Sequence, residues 1–567
     1  MLLFFVFLKF HRVVLPSNCE KSTFASNGDG LNTAWNNMIM TKQSFPPWQS
    51  STSWVNFPMG EPFWTSDWWS SIIPRSFLFL FSKVTNPICG YNLTAFTGVF
   101  LTSLFAYILI FRLIKNVLVG LISGIVMSFS SYLTYAIPQH VHKTFMWGLL
   151  LVILLCFESL KKASIQRLVV LGLVSGMAAY IDGYYTVMIL ISVFAFTIVF
   201  LNGLRRNYFS PNRFNFTSAF IPLFLFFILQ IPNVVALAID SPHTFYGLRS
   251  IQALEIFRLK IWHLLVPSPN NPYLPQSIKH HLQDRLDGSN FTETSFYLTW
   301  TFIVFAILAL TKKSRIRINF EGISLLPKSK AKSKELDAVL LFLFAVMSIA
   351  FMISFFPSFW RPIFEYIPFF RTLARFGLLL DISIICLGAI GMQIVLKRFA
   401  SLQKRLSVML LILAMLSLEL GIPNSQIIPV RNFSVESPSA YVWIRENTPK
   451  EAIILEFLRW TPGASHLGFG VIHERKVANP WRPHSILMTE RFYDAGSIGF
   501  VCYIKSHHVN FVIEHQHFPI STEFLDLGFL NLVYPQESSV DYSQIADIRI
   551  FQVDSGQIPT IYDCDNG

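Results

Sequence analysis

Apolar runs of membrane-crossing length, separated by short basic connections, constrain this chain more than any other feature. A transmembrane helix needs about 20 mostly apolar residues. The sequence offers about eleven such runs, near 2–16, 91–111, 116–137, 144–160, 167–182, 184–203, 215–238, 296–311, 336–356, 376–396 and 406–424. The first is short and interrupted by Lys9, His11 and Arg12, which must snorkel to the interface if it spans. A signal peptide is the competing reading of that segment, although no small-residue cleavage site follows it. Only 14% of the 567 residues are charged and 53% are hydrophobic, too little charge to clothe a soluble protein of this length. The expectation is an α-helical polytopic membrane protein.

The formal net charge of +12 could suggest nucleic acid, but its placement argues for a membrane. Arg112 and Lys115 follow the second run; Lys161, Lys162 and Arg167 follow the fourth; Arg205, Arg206 and Arg213 follow the sixth. Lys328, Lys330, Lys332 and Lys334 lie between the eighth and ninth runs, and Lys397, Arg398, Lys404 and Arg405 between the tenth and eleventh. Every second connection is basic, so these face the cytoplasm. The first loop 17–90, the connections 137–143, 182–184, 239–295 and 357–375, and everything after about 424 then lie outside. This divides the chain into a membrane domain, 1–424, and an extracytoplasmic domain, 425–567.

The outer connections carry the candidate chemistry. Asp29 sits between Gly28 and Gly30, which suits either an ordinary turn or a carboxylate presented at the membrane surface. Glu61 and Asp67 lie among Phe57, Phe63, Trp64, Trp68 and Trp69, a setting for a sugar or headgroup, or an interfacial aromatic belt. The stretch from Ser70 to Val84 reads as an interfacial helix. His140 and His142 are two apart and share no helical face, so they suit a polar ligand better than a metal. Asp182 ends the fifth run, where an acid is either wet or partnered. Glu293 precedes the eighth run. Arg371 and Arg375 would share one face of a helix and could clamp a phosphate; lipid headgroup contact is the alternative. No Gly-rich phosphate loop, CxxC pair or HExxH run occurs.

In order, the outer Gly-Asp-Gly, the Asn-x-Pro-x-Gly segment at 56–60, the His-rich turn, Asp182-Gly183-Tyr184-Tyr185, Pro267-Ser268-Pro269 and Asn271-Pro272, Glu293 before Tyr297-Leu298, and Arg371-x-x-x-Arg375-Phe376 resemble the bacterial multi-pass GT-C glycosyltransferases over roughly residues 20–425. The resemblance implies transfer of a sugar from a polyprenyl-phosphate donor to a glycan, lipid or protein acceptor on the outer face of the bacterial plasma membrane. Asp29 takes the place of the first-loop acid that acts as base or orients the acceptor. Glu61, His140, His142, Asp182, Glu293, Arg371 and Arg375 are then substrate-binding candidates. The sequence shows no metal ligands and leaves a divalent metal ion open as a cofactor. The second acid often found close to the first has no near counterpart here; Glu61 and Asp67 are the nearest.

After residue 425 the apolar runs shorten to strand length at 452–457, 509–513, 530–534 and 548–551, with a helix over 437–447, which predicts a small α/β domain. Its seven histidines read mainly as surface residues. Asn92, Asn290 and Asn432 begin N-x-S/T triplets on the outer side. Among the six cysteines, Cys19 and Cys89 share the first outer loop and Cys502 and Cys564 the outer domain, so either pair could form a disulfide there, while Cys156 and Cys386 fall in apolar runs. Two other functions compete with the enzyme: a lipid or glycan transporter, which would use Gln230, Pro232 and Asn233 as a mid-membrane break, and a non-catalytic envelope-assembly protein. The sidedness makes a direct prediction. An impermeant amine probe applied to intact cells should reach the lysines of the 425–567 tail and not those at 328–334; the reverse pattern overturns the topology.

Overall fold

The computed structural model describes residues 1–15, 19, 22–23, 29–42, 51–52, 61–62, 71–205, 216–240, 251–267, 271–281, 296–311, 330–366, 370–399, 401–421, 428–429, 438–457, 473–478, 496–515, 520, 525–534, 548–558 and 564. Each apolar run is helical. The helices are Leu2–Val14, Pro87–Ile114, Val117–Ser128 continued by Ser131–Gln139, Trp147–Lys161, Ile165–Ala178, Gly183–Arg205, Ile221–Asp240, Trp300–Thr311, Lys330–Phe355, Gly377–Leu396 and Leu402–Leu420. Among the described residues, seven stretches are long and apolar enough to cross a bilayer, not eleven. The reason is length and charge. Leu2–Val14 has 13 residues and Trp300–Thr311 has 12, each short of a ~30 Å hydrocarbon core at ~1.5 Å per residue. Leu402–Leu420 carries Lys404, Arg405 and Glu419.

Small residues let these helices approach. Gly388 and Gly391 of the Gly377–Leu396 helix lie against the Phe302 and Phe305 backbone, where a Cβ would collide. Gly172 and Gly176 lie likewise against Leu225 and Leu229. Such stripes suit packing in lipid, where burial of apolar surface gives helices no reason to associate. Polar groups add to it: Gln230 Nε2 donates to the Gly176 carbonyl at 2.8 Å and Asn233 Nδ2 to Gln230 Oε1 at 2.6 Å. The polar pair flanking Pro232 is therefore engaged in packing within a continuous helix, Ile221–Asp240.

The connection between Leu2–Val14 and Pro87–Ile114 contains a helix, Asp29–Lys42, packed on the helix Ile72–Val84. Asn37 Nδ2 donates to the Leu78 carbonyl at 3.2 Å and to Ser82 Oγ, and Lys83 Nζ donates to the Thr41 carbonyl at 2.6 Å. Cys19 and Cys89 form a disulfide that ties the loop to the first turn of Pro87–Ile114. Strand β1 (Ser22–Thr23) belongs to this loop, as do β2 (Ser51–Thr52) and β3 (Glu61–Pro62), which pair with each other. Strand β4 (Ile428–Pro429), just beyond the last helix of the bundle, pairs antiparallel with β1.

The C-terminal domain is a five-stranded sheet with β5 (Ile453–Phe457), β6 (Lys476–Val477), β7 (Phe511–His515), β8 (Leu530–Tyr534) and β9 (Ile548–Val553) in the order β6-β5-β7-β9-β8. Strands β5, β6 and β7 run parallel; β9 is antiparallel to both its neighbours. Side chains alternate between faces. Ile454, Ile513 and Ile550 bury with Tyr441 and Ile444 of the helix Pro438–Asn447; Ile453, Val512 and Phe551 bury with Phe500 and Ile504 of the helix Gly496–Ser506. The first of these cores is continuous with the bundle and with Met38 and Ile39 of the Asp29–Lys42 helix, and Lys42 Nζ meets Glu474 Oε2 at 2.7 Å. The domain is thus docked on the loop that carries Asp29. Buried Glu514 is compensated by Arg549 and by the Ile520 amide at 2.7 Å, and Cys502 is disulfide-bonded to Cys564.

His473 is fully buried against the Tyr441 ring, with its Nδ1 accepting from the Arg475 amide at 3.0 Å. Burial pushes its imidazole down to about 3, and the Arg475 and Lys42 charges add to that. The folded value lies below the ordinary one, so its contribution is complete above about pH 6.5 and is lost as pH falls toward 3. The cost is about 1.4 kcal/mol per pH unit. Amide exchange in the Ile453–Phe457 strand should accelerate between pH 7 and pH 4, after correction for intrinsic rates. His473→Asn, which keeps an acceptor for the Arg475 amide but cannot protonate, should flatten that dependence.

Candidate functional site

Three helix junctions meet at one end of the bundle. The first is the turn after Ser131–Gln139. The His140 amide closes that helix on the Ala136 carbonyl at 2.7 Å, and a 3₁₀ turn, Val141–Phe145, leads into Trp147–Lys161. Thr144 and Phe145 lie directly over Gly98, and the Thr144 carbonyl accepts from Thr102 Oγ1 at 2.8 Å. Any side chain at position 98 would lift the turn from its seat.

The second junction is Asp182, between the 3₁₀ turn Ala179–Ile181 and the helix Gly183–Arg205. Its Oδ1 accepts from the Tyr184 amide at 2.7 Å and the Tyr185 amide at 3.2 Å, capping the helix. Its Oδ2 lies 3.1 Å from His142 Nε2. Two backbone donors, an imidazole and the positive end of a helix all favour the carboxylate form. Tyr185 reaches back to the first junction, its hydroxyl donating to the Lys143 carbonyl at 2.5 Å.

The third junction is the entry to Gly377–Leu396. Tyr184 Oη accepts from the Thr372 amide at 2.9 Å, and its ring meets Phe370 edge-on at 5.3 Å. The Arg375 guanidinium lies 4.4 Å over the same ring. Arg371 instead rests on Phe257, 4.8 Å from its centroid. The expected shared helical face of the two arginines does not form, because only Leu373–Phe376 is helical, as a 3₁₀ turn, and Arg371 precedes it. A 3₁₀ turn closes every three residues, so a four-residue spacing does not return to one face.

The structure therefore brings His140, His142, Asp182 and Arg375 together, with Arg371 on a neighbouring ring. The imidazoles of His140 and His142 are 5.7 Å apart. Burial, together with the Lys143 and Arg375 charges, holds His140 well below the usual imidazole range, so it is neutral. Lys143, almost wholly buried, and the tyrosines at 184 and 185 belong to the cluster. The tyrosines stood in the sequence only as part of the Asp182-Gly183-Tyr184-Tyr185 motif, and none of the three was a candidate site residue; the only signal for Lys143 was its adjacency to His142. Asp29 begins the Asp29–Lys42 helix and Glu61 lies in β3, but their side chains lie outside the described residues, as does Glu293 altogether. Among the described residues no group of three or more His, Cys, Asp or Glu side chains converges as metal ligands would.

An apolar cavity of about 370 Å³ opens along the Gly377–Leu396 helix among Leu264, Leu298, Met347, Phe351, Leu380 and Ile384. The Leu298 amide pairs with the Leu264 carbonyl at 3.0 Å, and two residues earlier Phe296 stacks on Tyr132 at 5.3 Å.

No protein-family model and no curated protein matches the chain. Solved structures do. The Archaeoglobus fulgidus oligosaccharyltransferase in its apo form aligns at 12% identity and a TM-score of 0.49, covering 91% of this chain and 69% of that one. The same enzyme in complex with Zn and sulfate aligns at 11% and 0.48, covering 99% and 74%. ArnT from Cupriavidus metallidurans bound to undecaprenyl phosphate aligns at 10% and 0.44, covering 97% of both chains. At this distance the likenesses assign neither a family nor a residue role.

The geometry of the site separates two jobs of Asp182. Asp182→Ala orphans two buried amides and should destabilise the protein by about 2 kcal/mol, several degrees in thermal unfolding in detergent. Asp182→Asn keeps a capping oxygen and should cost less than about 1 kcal/mol. Equal losses in the two variants would mean that the cap is not what Asp182 supplies.

Proposed function

We propose that the protein is a membrane glycosyltransferase that moves a sugar from a polyprenyl-phosphate donor to a glycan, lipid or protein acceptor on the extracytoplasmic face of the plasma membrane. The observation that carries this reading is the convergence of His140, His142, Lys143, Asp182 and Arg375 from three helix junctions at one end of the bundle. Cations and imidazoles held at a membrane surface suit a phosphate whose charge grows as it leaves the sugar. The apolar cavity along the Gly377–Leu396 helix suits the first isoprene units of a lipid carrier. Both disulfides join segments assigned to the outer side, and the cysteines inside apolar helices are free, which agrees with an oxidising outer compartment.

In this reading the acceptor hydroxyl attacks the anomeric carbon as the bond to the phosphate oxygen breaks. Arg375 and Lys143 stabilise the departing phosphate, Asp29 orients the acceptor, and Glu61, Glu293 and Arg371 line the approach. The requirement for a divalent cation belongs to the same assay. Purified protein in detergent should transfer label from a panel of tritiated polyprenyl-phosphate hexoses to an extract of envelope acceptors. Arg375→Ala should lower the rate by about 10²–10³-fold. Undiminished transfer by Asp29→Asn would remove Asp29 from the mechanism, and absence of transfer from every donor, with and without divalent ions, would overturn the reading.

A further inference from the structure

The imidazole of His142 is held as a proton acceptor would be. Its Nε2 is fixed 3.1 Å from the buried Asp182 carboxylate, while about a quarter of its side chain is exposed. Asp182 cannot swing away, because its other oxygen is engaged by the Tyr184 and Tyr185 amides. Its partner cannot either: the 3₁₀ turn bearing His142 is bound at its base by Tyr185 Oη and seated over Gly98. A carboxylate that fixes one ring nitrogen sets the tautomer, so Nε2 carries the hydrogen and Nδ1 offers its lone pair. Among the described residues no other hydrogen bond to the His142 ring is made.

We propose that the Asp182–His142 pair is the proton-accepting dyad of the transfer reaction, with His142 the catalytic base and Asp182 its positioning residue. The inference rests on the glycosyltransferase reading and reassigns a step within it, leaving Asp29 to orient the acceptor. The acceptor O–H proton passes to His142 Nδ1 as the oxygen forms its bond to the anomeric carbon. The electron pair of the breaking carbon–oxygen bond leaves with the polyprenyl phosphate. The imidazolium beside Asp182 then returns its proton to water, so atoms and charge balance without a further reactant. The charged or titratable groups facing His142 are Asp182 from the Gly183 helix start, Lys143 and His140 on its own turn, and Arg75 from the Ile72–Val84 helix; Arg375 faces Asp182 and His140. Burial and the Lys143 and Arg75 charges oppose a proton on His142, and Asp182 is the group that favours one.

The test uses the full-length protein and tritiated polyprenyl-phosphate hexose. His142→Gln should lower kcat by about 10²–10⁴-fold with KM little changed and should lose the acid limb of the kcat–pH profile. Asp29→Asn should be slower but retain that limb. Asp182→Asn, which keeps the helix cap, should lower kcat without lowering thermal stability comparably. Added imidazole should restore part of the rate in His142→Gly. Wild-type transfer with an unaltered pH profile in His142→Gln, or an acid limb that disappears in Asp29→Asn instead, overturns the dyad while leaving the glycosyltransferase intact. Absence of transfer by the wild-type protein removes both.

Discussion

A single buried carboxylate organises the end of the bundle where the candidate site lies. Asp182 is expensive to bury, and the structure offsets the cost with two amides, one imidazole and a helix start. Each of those partners fixes something else. The amides belong to tyrosines that reach the other two junctions, one to the Lys143 carbonyl and one to the Thr372 amide. The imidazole belongs to the turn seated over Gly98. Three spans far apart in sequence therefore share one electrostatic knot, and the arginine of the third lies over a tyrosine of the second.

Much of the architecture was legible because hydrophobic length is a strong signal. All eleven apolar runs are helical, and four strands of the C-terminal sheet fall within about two residues of their expected positions. The expected count of eleven spans is not confirmed among the described residues, because apolar content alone says little about a 12- or 13-residue helix. Strand β6 has two residues and no pattern to read; the helix Gly496–Ser506 was missed because its run of Ile498, Phe500, Val501 and Ile504 sits among loop-like residues. His142 and Asp182 are 40 positions apart, and no periodicity links them. Both disulfide pairings were among the possibilities, but only three-dimensional proximity selects them.

The Asn92 triplet shows how context overrides a motif. Asn92 is fully buried in the Pro87–Ile114 helix with its amide toward the Cys19 carbonyl, where no modifying enzyme can reach it. The C-terminal domain likewise departs from the picture of a detached tail. One face of its sheet shares a core with the Asp29–Lys42 helix, so the segment bearing the first-loop acid is braced from both the bundle and the domain.

The β1–β4 ladder joins residues 22–23 to residues 428–429, across almost the whole membrane domain. A ribosome adding ~5–20 residues per second needs about 20–80 s to make the intervening chain. Throughout that interval the strand at Ser22 has no partner, although the loop around it has already been translated. The Asp29–Lys42 helix can pack on Ile72–Val84 early, but the strand that precedes it is paired only once the last helix of the bundle is made, so this corner of the fold is completed at the end of membrane-domain synthesis rather than at its beginning.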